Sequence, residues 1–186
     1  MTALDRFLQS WRIRKASRHL PCGARVLDVG SAEGALFQAR DDLAGGCIGI
    51  DPTLARQRDI GPHRLLKGFF PQDLPMTLGQ FDVITMLAVL EHFPAGLHAE
   101  VAHGCWRFLK PGGRLIITVP SPIVDKMLVV LKAVRLVEGM SLEEHHGYEV
   151  CQTAAIFREP RFRLLAKEHF QFGLNHLFVF ERAAQE

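Results

Sequence analysis

Several things are scarce in this 186-residue chain, and each scarcity excludes a class of protein. The four cysteines, Cys22, Cys47, Cys105 and Cys151, are scattered and form no CxxC pair. A zinc site uses closely spaced ligand pairs, and a disulfide framework belongs to small secreted chains. Neither pattern is present, so a reducing, cytoplasmic setting is expected. No apolar run approaches the roughly 20 residues of a membrane span. The first twenty residues lack the apolar centre of a signal peptide. Net charge is only +2 with a sequence pI near 8.4, too mild to imply nucleic acid. There is no internal repeat and no low-complexity segment.

What is present reads as one ordinary globular domain, with 48% apolar and 23% charged residues. Residues 1–20 suggest an amphipathic helix, with Leu4, Phe7, Leu8 and Trp11 on one stripe. Arg6, Arg12, Arg14, Lys15 and Arg18 form a basic side. Such a helix either packs on the domain with a solvated basic face, the preferred reading, or lies on a membrane surface.

Short β-branched runs then alternate with helical stretches. Strands are expected at 25–30, 47–51, 63–67, 81–87 and 114–119, with helices at 34–43 and 96–109. This order predicts an α/β, doubly wound, mostly parallel sheet with helices on both faces. Runs at 162–170 and 176–181 are separated by five residues, too few for a parallel crossover. They predict a C-terminal antiparallel hairpin, making seven strands.

The turn Asp28–Gly34 follows the first strand, where open α/β sheets bind ligands. A dinucleotide fingerprint needs G-x-G-x-x-G. Counting from Gly30, Ala32 and Ala35 stand where the later glycines belong, so a nicotinamide-dependent oxidoreductase is disfavoured. Asp28 and Glu33 make the turn acidic, which suits a cationic ligand better than a pyrophosphate. Asp51 ends the second strand, where an acceptor can take ribose hydroxyls.

These segments resemble the class I S-adenosylmethionine-dependent methyltransferases. VLDVGSAEG resembles their first motif and GIDPT their acidic second motif. FDVITMLAVLEHFP resembles the fourth strand of the small-molecule branch, and FLKPGGRLIITVPSP the following helix, turn and fifth strand. The resemblance covers about residues 24–120 and 160–182. It implies a Rossmann-like methyltransferase fold and S-adenosylmethionine as cofactor. Gly30, Ser31 and Gly34 would line its methionine part, with Asp28 orienting the turn and its ammonium contacts. Asp51 would hold the ribose, Pro52 would lie beside the adenine, and the chain at Leu87 and Ala88 would pass under the methionine. Many relatives carry an acidic residue just after the glycine that corresponds to Gly68. Here Phe69 or Phe70 stands there, offering ring contact with adenine, and Asp73 looks too far along the chain.

For catalysis the candidates are His92, after the fourth strand, and His145 and His146, in a segment at 121–158 unlike the family. That segment opens with a broad apolar face from Ile123 to Val137. It fits core packing, a cap over an apolar acceptor, or a homodimer contact. No metal site is expected. The leading expectation is methyl transfer to a small molecule, at oxygen, because the fourth-strand tip lacks the Asn-Pro-Pro-Tyr type sequence of amino-group methylases. The alternative is a non-catalytic S-adenosylmethionine-binding protein that meets a partner through the apolar segment.

Overall fold

A computed structural model describes residues 3–121 and 150–184. His145, His146 and the apolar run from Ile123 to Val137 lie outside them.

The chain opens with helix α1 (Ala3–Ser17). Strand β1 (Val26–Val29), helix α2 (Ala35–Ala39) and strand β2 (Ile48–Asp51) follow. Two short strands come next, β3 (Arg58–Ile60) and β4 (His63–Lys67), then β5 (Phe81–Leu87). Helix α3 (His98–Phe108) leads into β6 (Leu109–Pro120). Helix α4 (Gln152–Ile156) precedes the terminal strands β7 (Phe162–Phe170) and β8 (Asn175–Arg182).

All eight strands form one sheet in the order β3-β4-β2-β1-β5-β6-β8-β7. From β4 to β6 the neighbours are parallel, and β8 and β7 close the sheet antiparallel. The expected fold and hairpin are therefore present. The eighth strand, β3, was not read from the sequence. It is an antiparallel edge strand of three residues beside β4, and Arg-Asp-Ile has no period-2 signal. Pro111–Gly113, expected as a turn before the fifth strand, falls within the bounds of β6. The ladder nevertheless jumps from Leu109 opposite Phe81 to Arg114 opposite Val83, so Lys110–Gly113, with Gly112 left-handed at φ 74°, turn out of the pairing as expected.

Alternation along each strand divides the core in two. Leu27, Val29, Ile84, Met86, Ile117 and Phe178 face α3 and α4, where Val101, Cys105, Phe108 and Phe157 cover them. Val26, Val83, Ile116 and Val179 face the opposite side, where Ile13 and Ala16 of α1 and Leu36 and Phe37 of α2 cover them. The first helix thus docks through Ile13, Ala16 and, just beyond it, Leu20. Phe7, placed by periodicity on the packing stripe, is exposed instead.

The terminal strand β8 brings aromatic rings into the core. Phe180 is fully buried, 5.5 Å from the Phe157 ring and stacked on Phe178 at 6.1 Å. Truncating such a ring loses its transfer free energy and leaves a cavity. Phe180→Ala is expected to cost about 3–5 kcal/mol in urea unfolding. Leu165→Ala, on the exposed edge strand, is expected to stay within about 0.5 kcal/mol of the parent.

Candidate cofactor site

The chain reverses its winding at β1: β2 lies on one side and β5 on the other. Open α/β sheets bind ligands at the carboxyl ends of the strands at such a point. A cavity of about 570 Å³ occupies this place. Val29, Gly30, Ile50 and Pro52 line it from β1 and β2. Gly68, Phe69 and Asp73 line it after β4, and Val89, His92, Phe93 and Leu97 after β5.

The turn at its base is held from both sides. Gly30 N–H donates to the Ile50 carbonyl at 2.9 Å, and Gly34 N–H to the Ser31 carbonyl at 2.8 Å. Asp51 Oδ2 accepts the Ala32 N–H at 2.8 Å. Its Oδ1 accepts the N–H and hydroxyl of Thr53 at 2.8 and 2.5 Å. Gly30, Ala32 and Gly34 all have positive φ, at 73, 43 and 79°. Alanine therefore occupies a left-handed position at the middle of the motif. Gly30 has no alternative, because a Cβ there would collide with the Val89 side chain. Ala88, just before Val89, is also left-handed at φ 60° and donates its N–H to the Thr118 carbonyl at 2.9 Å. That backbone turn brings Val89 over Gly30.

Alternation sends Asp28 to the opposite side of β1 from Val29. It is 4% exposed and accepts the Thr85 hydroxyl at 2.6 Å. Burial pushes its carboxyl up to about 7; the Thr85 bond opposes that shift and the nearby Asp51 charge adds to it. Two buried carboxylates therefore stand close together beside the turn. Glu33 adds nothing to this charge, because it pairs on the surface with Arg58 of β3.

Of the residues expected at a cofactor, Gly30, Pro52 and Phe69 border the cavity, while Asp28, Ser31 and Asp51 are buried next to lining residues in the chain without lining it themselves. Ser31 faces Gly49, where a Cβ would lie 2.6 Å from its Oγ. Gly34 and Leu87 do not line it either. The open side of Gly34 faces Ile60 and Leu65, and Leu87 packs into the core on the α1 side. His92 borders the cavity. Asp73 lies nearer the turn than its position along the chain implies. Its side chain folds back so closely that a Cβ on Gly68 would lie 2.6 Å from the Asp73 Cβ, and its Oδ2 accepts the Phe69 N–H at 2.7 Å. Four residues along the chain is no distance across a tight turn. Val89, Phe93 and Leu97 carried no sequence signal beyond being apolar after a strand. Among the described residues, no three His, Cys, Asp or Glu side chains gather into a metal site. No described helix is long and apolar enough to cross a membrane.

A sequence profile described as a methyltransferase domain matches residues 3–170. The chain belongs to that family. Methyl transfer is the family's chemistry, and S-adenosylmethionine is its cofactor. The ubiquinone biosynthesis O-methyltransferase of Pseudomonas aeruginosa is 33% identical over 107 residues, 52% of this chain and 44% of that one. A ribosomal protein methyltransferase of Thermus thermophilus is 33% identical over 114 residues, 57% of this chain and 42% of that one. The chain thus spans less than half the length of these relatives. A putative S-adenosylmethionine-dependent methyltransferase of Listeria monocytogenes shares the fold, with a TM-score of 0.69 at 14% identity. That match covers 95% of this chain and 100% of the other.

The residues present fit this cofactor: the cavity is bordered by the Gly30 turn, Pro52 and Phe69, and the buried Asp51 carboxylate ends β2 immediately before Pro52.

Gly30→Ala is expected to destabilise the protein by about 1–3 kcal/mol, through both the clash and the left-handed backbone. Adding Val89→Ala should recover the part due to the clash, which a double-mutant cycle in urea reads directly. Asp28 gives a pH signature. An unfolded aspartate titrates near 3.9, and the folded carboxyl near 7. The folded state binds the proton more tightly between those values, so stability from this group is complete below about pH 4 and falls as pH rises to about 7. Asp28→Asn should flatten that part of the Tm–pH curve and raise Tm at pH 8 relative to the parent.

Proposed function

We propose that this chain transfers a methyl group from S-adenosylmethionine to the hydroxyl of a small, largely apolar molecule. The observation that carries this reading is His92, brought to the rim of the cavity whose floor is the Gly30 turn. When bound, S-adenosylmethionine supplies a methyl group made electrophilic by its sulfonium.

The chain's own residues divide the remaining work. Asp51 holds the ribose hydroxyls with the lone-pair capacity left on Oδ2, which takes one backbone donor. Asp28 supplies negative charge toward the ammonium, and binding favours its ionised form. Pro52, Ile50 and Phe69 flank the adenine, and Asp73 accepts from its amino group. His92 takes the proton from the acceptor hydroxyl as general base, a role that suits imidazole near neutral pH. Phe93, Pro94 and Leu97 form an apolar wall beside it, suited to a ring-bearing acceptor. Oxygen as the acceptor atom is supported by the relatives named as O-methyltransferases and by the Leu87–Leu90 tip of the fourth parallel strand. Positioning acceptor and methyl in line supplies much of the acceleration.

Calorimetric titration separates binding from turnover. The protein should bind S-adenosylmethionine and S-adenosylhomocysteine but not NAD, and Asp51→Ala should weaken binding by about tenfold or more. His92→Ala should bind the cofactor as well as the parent, yet form S-adenosylhomocysteine about 100-fold more slowly with catechol or hydroquinone as acceptor. Cofactor binding without turnover on any hydroxyl acceptor would instead support a binding protein that has lost catalysis.

A further inference from the structure

The tip of the terminal hairpin has an unusual backbone. Gly173 N–H closes the turn on the Phe170 carbonyl at 3.1 Å, and the two residues between, Gln171 and Phe172, have φ of 52° and 57°. Two successive non-glycine residues in the left-handed region cost about 1–2 kcal/mol each. The turn is held in that form by α1: Gln171 Nε2 donates to the Leu8 carbonyl at 3.2 Å, and Asn175 Nδ2 donates to Gln171 Oε1. The result is a phenylalanine ring held in solvent, with Phe172 95% exposed. It is not alone. Phe172 meets Trp11 edge-on at 6.0 Å, and Trp11 meets Phe7, 58% exposed, at 5.6 Å. Strain spent on displaying an aromatic ring suggests a surface that something covers.

The charges around it favour one kind of cover. Residues 1–20 carry five Lys or Arg and one acid. Lys15 is tied to Glu168, but Arg6, Arg14 and Arg18 are exposed and make no ion pair among the described residues. A two-fold contact between copies through this patch would set arginine against arginine. An anionic lipid surface meets both features, since aromatic rings settle at the headgroup level and each surface arginine adds about 1 kcal/mol.

We propose that Phe7, Trp11 and Phe172, with Arg6, Arg14 and Arg18, form a docking surface for an anionic lipid bilayer. The location gives the contact a purpose. The hairpin tip lies at the carboxyl end of β6, where Pro120 pairs with Asn175 and Ser121 N–H bonds the Leu174 carbonyl at 2.8 Å. The cavity opens at this same end of the sheet. A docked molecule therefore presents its site on the side from which an apolar acceptor leaves the bilayer. That last link rests on the proposed acceptor; the docking itself does not.

The test is co-sedimentation of the full chain with phosphatidylcholine vesicles, with and without phosphatidylglycerol. The protein should pellet with the anionic vesicles, be released by salt, and show a blue shift of tryptophan emission. Phe7→Ser with Phe172→Ser, and separately Arg6→Glu with Arg14→Glu, should each weaken partitioning by about tenfold or more. Both variants should keep the parent's Tm and cofactor affinity, so a failure here is distinct from a failure of the methyltransferase reading. The proposal falls if the parent ignores anionic vesicles or if the variants bind them as well as the parent does. It also falls if sedimentation velocity without lipid shows a dimer that the aromatic variant dissolves, which would assign the patch to a second copy.

Discussion

The Asp51 carboxylate ties the end of β2 to the turn after β1, and the rest of the site follows from that tie. One oxygen holds the Ala32 N–H, and the other is satisfied by Thr53. With the Gly30 N–H on the Ile50 carbonyl, the turn has no freedom to rise into the cavity. Its left-handed residues lie flat enough for Val89 to close over Gly30 from the β5 side. A turn pinned by backbone hydrogen bonds is more rigid than one held by side chains, because it has no rotamers to lose.

This arrangement carries an electrostatic cost that protonation of Asp28 or a cationic ligand relieves. Asp28 is buried beside Asp51, and its single strong partner is a neutral hydroxyl. Both burial and the neighbouring carboxylate work against ionisation. Such a pair is poor design for stability and good design for recognising positive charge. Glu33, acidic and in the same turn, plays no part because Arg58 neutralises it. Net acidity in a motif is thus a weaker guide than which carboxylates are buried.

The same division between held backbone and exposed chemistry recurs at the hairpin tip. Gln171 serves as a strut between β7 and α1, and the strained neighbour it holds is an aromatic with no core to join. The first helix is therefore more than a cover for the sheet. Ile13 and Ala16 bury themselves against the β-strands, while its amino-terminal half carries Phe7 and Arg6 into solvent.

Local chemistry was legible in the sequence wherever one segment contains its own cause. The parallel strands, the terminal hairpin and the turn at Asp28–Gly34 are of this kind, because periodicity and glycine placement act over a few residues. The failed dinucleotide spacing and the acid at Asp51 pointed to the right class of cofactor for the same reason. Strand β3 escaped notice, since three residues at an edge are held by pairing with β4 and carry no pattern of their own. Asp73 lies closer to the Gly68 turn than its place in the chain implies, because distance along a tight turn is not distance in space. The choice of Phe7 as a packing residue failed because periodicity identifies a helix face, but not which part of that face meets the sheet. The sequence by itself determined the fold class, the turn and the kind of ligand. Only the tertiary structure decided that Val89 packs on that turn, that His92 borders the same cavity, that Glu33 pairs with Arg58, and that Phe172 faces water, because each depends on contacts between segments far apart in the chain.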